Sequence, residues 1–126
     1  MKKISIIIIS YNRPGDTLDL LKDIANFNNI ELLDTVIVFN NCSTEDYSSI
    51  TNFINTNTHV PFQFIPAPEN LGVSRGRNYA TQFAKSDILF YIDDDVNLKD
   101  QNTLQKLVLS FEQPNKKRKR IKNCKL

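Results

Sequence analysis

The chain has 126 residues, 40% of them hydrophobic and 24% charged, with no Trp and two Cys. That is the size and composition of one soluble domain with a real core. No apolar run approaches the roughly 20 residues of a membrane-spanning helix, and the short run Ile4–Ile9 enters Tyr11-Asn12-Arg13-Pro14 with no small-residue cleavage site, which argues against a secretory signal. Cys42 and Cys124 match no zinc or redox spacing, so a metal-knuckle or disulfide scaffold is excluded and a reducing cytoplasm is the expected compartment. Charge is segregated: residues 1–112 carry 14 acidic and nine basic side chains, and residues 113–126 carry seven basic and none acidic. The expected organisation is therefore a domain over 1–112 and a basic, disordered tail over 113–126.

Ser5–Ser10 (ISIIIIS with Ile4) is a β-branched run suited to a strand buried on both faces. Asn12-Arg13-Pro14-Gly15-Asp16 breaks it. Leu18, Leu21, Ile24, Ala25 and Phe27 then fall at helical spacing, with Asp16 or Thr17 as the expected cap. Thr35–Phe39 is a second buried-type strand. Ser43 or Thr44 is the expected cap of a helix running to about Asn55. Phe62–Ile65 is a third strand between two prolines. Ser74–Lys85 is a helix, Ile88–Ile92 a fourth strand, and Leu104, Leu107, Val108 and Phe111 mark a last amphipathic helix. The alternation predicts an α/β fold: a Rossmann-like, mainly parallel sheet with helices on both faces.

Ligands in such sheets bind outside the carboxyl ends of the strands. The residues there are Ser10, Tyr11 and Asn12; Asn40 to Ser43; Pro66 to Asn70; and Asp93, Asp94 and Asp95. Three adjacent carboxylates repel one another, and partial burial needs a cation to offset them. Hard oxygen donors favour Mg²⁺, Mn²⁺ or Ca²⁺. In extended backbone Asp93 and Asp95 would point one way and Asp94 the other. The segment Gly72-Val73-Ser74-Arg75-Gly76-Arg77-Asn78 has neither of the common phosphate-loop spacings. Its arginines oppose the helix dipole unless an anion or acid cluster lies near. His59 is expected in a loop, and Cys42 as a small filler rather than a nucleophile.

Four stretches, SIIIISYNRP (5–14), VIVFNNCSTED (36–46), ENLGVSRGRNY (69–79) and SDILFYIDDDV (86–96), occur in the order and at the spacing of family 2 glycosyltransferases. Over residues 4 to about 110 the chain resembles the nucleotide-sugar-binding half of that family's GT-A fold. The resemblance implies transfer of a sugar from a UDP- or GDP-linked donor, with inversion, to a saccharide or lipid-linked acceptor. It implies a nucleotide site at Ser10, Tyr11, Asn40, Arg77, Asp93 and Asp94, and a divalent metal, Mn²⁺ or Mg²⁺, on Asp95 and Asp93. It also implies polysaccharide biosynthesis at the inner face of the membrane, with peripheral membrane association and no nucleic-acid partner.

Two departures qualify the resemblance. Asn40 stands where the family usually has a base-contacting Asp, and Cys42 where a Gly usually follows. The chain also ends about 30 residues after Asp95, so an incomplete domain lacking the acceptor wall is expected, with no residue assigned as the general base and transfer by this chain alone not expected. The competing expectations are a sugar-nucleotide nucleotidyltransferase, for which SYNRPGD is a poor basic loop, and a non-catalytic nucleotide-binding remnant with a basic tail.

Overall fold

In the computed structural model, residues 2–112 and the backbone of residues 119–122 are described. The elements are β1 (Ile4–Ser10), α1 (Pro14–Ala25), β2 (Leu33–Asn40), α2 (Ser48–Thr56), β3 (Phe62–Pro66), α3 (Gly72–Thr81), β4 (Ile88–Asp93), α4 (Thr103–Phe111) and β5 (Lys119–Lys122), with a short 3₁₀ turn at Ile30–Leu32 before β2. The strands form one parallel sheet in the order β3-β2-β1-β4-β5. β1 is central, aligned with both neighbours: Ile8 lies opposite Val38 on one side and Ile92 on the other.

Period-two alternation divides the strand residues between two cores. Ile4, Ile6 and Ile8, Val36 and Val38, and Ile88, Phe90 and Ile92 face one side. There they meet Leu20, Leu21 and Ile24 of α1, Ile50 of α2 and Leu104, Leu107 and Val108 of α4. Ile7, Ile37, Phe39, Leu89 and Tyr91 face the other side, where α3 supplies Ala80. This is why the strands read as unbroken apolar runs: both faces are covered. Gly76 lets α3 sit close to the sheet, since a Cβ there would lie 3.4 Å from the Phe39 ring and 3.7 Å from Ile9.

The strand order fixes where a ligand can go. From β1 the chain steps outward to β2 and β3; α3 then carries it back across, on the opposite face, to β4 on β1's other side. The carboxyl ends of β1 and β4 are therefore the point at which the order reverses, and a crevice opens there.

Helix starts differ from the sequence expectation. α1 begins at Pro14, whose fixed φ suits a first helical position, and Thr17 serves elsewhere. α2 begins only at Ser48, because residues 41–47 are held in a loop by Asn12 and Asn40. Tyr47 is its N-cap, and Asp46 just before it closes the turn into the helix, accepting the Ser48 N–H at 2.9 Å and the Ser48 hydroxyl at 2.9 Å. The expected basic tail differs at Lys119–Lys122, which pairs with β4, Ile88 opposite Lys119. A strand edge offers main-chain donors and acceptors whatever the side chains of the pairing segment. The rest of that expected tail, residues 113–118 and 123–126 with Cys124, lies outside the described residues.

Candidate functional site

At the reversal point a cleft of about 310 Å³ is lined by Ile9, Tyr11, Arg13, Asn41, Val73, Arg77, Asp93, Asp94 and Asp95. That is the low end of small-molecule site volumes. β1 delivers Tyr11, β4 the acid triplet, and α3 Val73 and Arg77 from above the sheet.

The triplet does not alternate as extended backbone would. β4 ends at Asp93, and the chain turns at once, the Val96 N–H reaching the Asp93 carbonyl at 3.3 Å. Asp93 lies 3.4 Å from the Arg77 guanidinium, which also stands over the Tyr91 ring at 5.9 Å. Asp95 lies 3.1 Å from the Arg13 guanidinium, and Asp94 lies 3.9 Å from the same group. The turn thus groups Asp94 with Asp95 on one arginine and leaves Asp93 to the other.

Asp94 is the inner member, its side chain 13% exposed against 49% for Asp93 and 51% for Asp95. It accepts the Tyr11 backbone N–H at 3.1 Å and so fixes the start of the β1 loop. Burial pushes its carboxyl above the ordinary range; the Tyr11 N–H and Arg13 pull it back, and the neighbouring Asp95 and Asp93 push it further up. Asp93 and Asp95 are each about half exposed at the cleft. Among the described residues no three His, Cys, Asp or Glu side chains converge as a ready-made metal cage. The donor chemistry still fits a hard divalent ion of the kind held by one or two carboxylates while phosphate oxygens complete the shell.

The side chains of two residues expected at the nucleotide lie apart from the other four. Ser10 is fully buried, and its hydroxyl lies 2.7 Å from the Thr17 hydroxyl and 2.6 Å from that of Tyr47, beneath the cleft rather than in its wall. A strand end still alternates, and Ser10 falls on the inward beat. Asn40 does not line the cleft; its amide oxygen accepts the Ser43 N–H at 3.0 Å, closing its own turn. That turn places Cys42 at φ 62°, exposed, so it is no packing filler. His59 is in a loop, as expected, its ring 3.1 Å from the Ala25 carbonyl. The two α3 arginines separate: Arg77 enters the cleft, while Arg75 turns outward toward Glu69 at 3.6 Å.

Three residues have roles here that the sequence did not assign: Arg13, and Asn41 and Asn12, which it placed only among the strand-end residues. Arg13 appears there only as part of a breaker and of the stretch SIIIISYNRP, with no role of its own. Asn41, 3% exposed, ties the β2 end to the loop before α3: it accepts the Leu71 N–H at 2.9 Å, and its amide nitrogen lies 3.3 Å from the Gly72 carbonyl. Asn12, at φ 52°, ties the β1 loop to the β2 loop by accepting the N–H groups of Thr44 and Glu45 at 2.8 and 3.2 Å. For Asn12 and Asn41 the signal was their place just past β1 and just past β2; for Arg13 it was only its place in the stretch SIIIISYNRP.

The sequence matches the description "Glycosyl transferase family 2" over residues 5–117. The chain belongs to that family. An uncharacterized protein of Haemophilus influenzae is 33% identical over 116 residues, 90% of this chain and 61% of that protein. A mannosyltransferase of Pyrobaculum calidifontis, solved with GDP-Man and Mn²⁺, superposes with a TM-score of 0.83 at 21% identity, covering 90% of this chain and 33% of that one. S. aureus TarS 1–349 superposes with a TM-score of 0.74 at 22% identity, covering 85% and 31%, and the same protein with UDP-GlcNAc gives 0.72. These likenesses show a GT-A-type α/β fold. The chain spans about three-fifths of the curated relative and about a third of these solved chains.

Proposed function

We propose that this family 2 chain binds the donor of a glycosyl transfer, a UDP- or GDP-linked sugar, in the cleft between the ends of β1 and β4. The observation that carries this is the meeting there of an exposed aromatic ring, two arginines and three carboxylates in a family member of this fold. Tyr11, 45% exposed, offers its ring to the base. Arg77, held between Asp93 and the Tyr91 ring, presents positive charge to the nucleotide. Asp95 and Asp93 would hold a divalent ion, Mn²⁺ or Mg²⁺, from two sides of the turn. Asp94 sets the position of Tyr11 rather than reaching the ligand. When bound, that ion supplies charge neutralisation for a departing diphosphate. In the whole protein the acceptor is a saccharide or lipid-linked hydroxyl. That chemistry suits work beside a membrane, although no described helix is long and apolar enough to cross one.

Calorimetry of the full 126-residue chain with UDP and GDP, each with and without Mn²⁺, tests this. Binding of one nucleotide that disappears on chelation is expected. Equal binding after chelation would remove the metal, and no binding of either nucleotide would remove the donor site.

A further inference from the structure

Arg13 occupies an unusual position in the cleft. Its backbone is fixed from two sides: its N–H donates to the Tyr47 hydroxyl at 3.2 Å, and its carbonyl accepts the Thr17 N–H at 2.9 Å as α1 begins. Preceding Pro14 restricts its backbone further. Its side chain, by contrast, is 52% exposed and reaches over the acid turn to Asp95 at 3.1 Å and Asp94 at 3.9 Å, with Asp16 at 4.0 Å. A rigid base thus carries a movable charge. The carboxylate it holds most closely, Asp95, is the one assigned above to the divalent ion.

We infer that Arg13 is a resident counter-cation that competes with the divalent ion for Asp95 and so sets metal affinity. The inference rests on the proposed donor site. Without metal the guanidinium offsets the repulsion among three adjacent carboxylates. An arriving ion needs the same oxygens and is repelled by the same positive charge. It must therefore turn Arg13 outward, a motion the half-exposed side chain makes without disturbing α1. Arg77 is not equivalent. Its side chain is 21% exposed and lies over Tyr91, so it stays in place while Arg13 moves.

The test counts free Mn²⁺ by its paramagnetic resonance signal as the ion is added to the full chain without nucleotide. Arg13→Gln should bind Mn²⁺ roughly two- to fivefold more tightly than the native chain, the range expected for removing a half-exposed ion pair. Lys22→Gln, the same loss of charge on the exposed side of α1, should change nothing. Arg13→Lys, which keeps the charge and loses the fork, should fall between native and Arg13→Gln. In addition, Mn²⁺ should raise the melting temperature of Arg13→Gln more than that of the native chain. Unchanged or weaker Mn²⁺ binding by Arg13→Gln overturns the inference. So does an equal gain in Lys22→Gln, which would mean that net charge alone acts. If the native chain binds neither UDP nor GDP in calorimetry, the donor-site reading fails instead, whatever Arg13 does to Mn²⁺.

Discussion

The ends of β1 and β4 are neighbours in register, both polar, both at the mouth of the sheet, and they do opposite work. At the β1 end the Ser10 hydroxyl turns inward and is enclosed by Thr17 and Tyr47. At the β4 end the strand stops one residue into its acids, and a turn spreads the carboxylates around the rim. The Ser10 hydroxyl is spent on joining β1, α1 and α2; at the acid turn Asp94 is spent on the Tyr11 N–H, while Asp93 and Asp95 stay about half exposed at the rim. A polar residue at a strand end is therefore a site residue only if the pleat or a turn faces it outward, and burial separates the two cases.

That contrast is open to direct attack. The largest expected effect is on stability, from Ser10→Ala. It strands the buried Thr17 hydroxyl, and unsatisfied buried groups cost about 1–3 kcal/mol. Chemical denaturation should show that loss with nucleotide affinity little changed; a loss of affinity with full stability would return Ser10 to the cleft wall. Next, Asp95→Asn should weaken metal-dependent nucleotide binding at least about tenfold, since even groups that only support a metal ligand are worth about 10–100-fold. The matching control is Asp87→Asn, exposed beside the opposite end of β4. Asp16 would be a poor control because it approaches Arg13 at 4.0 Å. Equal effects from Asp95→Asn and Asp87→Asn would reduce the triplet to a charged turn.

Smaller effects sharpen the comparison at the β2 loop. Cys42 sits at φ 62°, where an L side chain costs about 1–2 kcal/mol and glycine is free of that cost, less about 0.5–1 kcal/mol of extra chain entropy. Cys42→Gly should gain about 0.5–1 kcal/mol in the same denaturation assay. The smallest effect concerns acid. The Ser48 N–H and hydroxyl hold Asp46 below its ordinary value of 3.8. Its contribution is thus present above that value and lost as pH falls through the lowered one. Asp46→Ala should flatten the acid limb of the stability profile slightly and leave the neutral region lower by a constant amount.

Much of this was legible in the chain. Ile4–Ile9, Val36–Phe39 and Ile88–Ile92 announce their strands because central parallel strands need apolar residues on both faces, and the acid triplet stands out because no apolar core would tolerate it. The helix starts were less legible. α1 starts at Pro14, ahead of the caps expected at Asp16 or Thr17, and α2 starts at Ser48, past those expected at Ser43 or Thr44, because clamps from Asn12 and Asn40 hold the loop before it. The inward turn of Ser10 and the local turn of Asn40 were not legible for a related reason: sequence gives the order of residues along a strand end but not which way a final side chain turns. Arg13 was invisible as a site residue, since its partners lie 81 and 82 positions away and meet it only when β1 and β4 pair.

The central claim is that the cleft between β1 and β4 is the donor site, and residue-resolved amide spectra of the full chain test it most directly. Addition of UDP with Mn²⁺ should broaden the amide signals of Tyr11, Arg13, Arg77 and Asp93 to Asp95, with those at the opposite strand ends, near Ile4, Leu33 and Ile88, unmoved. Broadening centred instead on those opposite ends, or on the outer face of α3 around Arg75 and Gln82, would contradict the account.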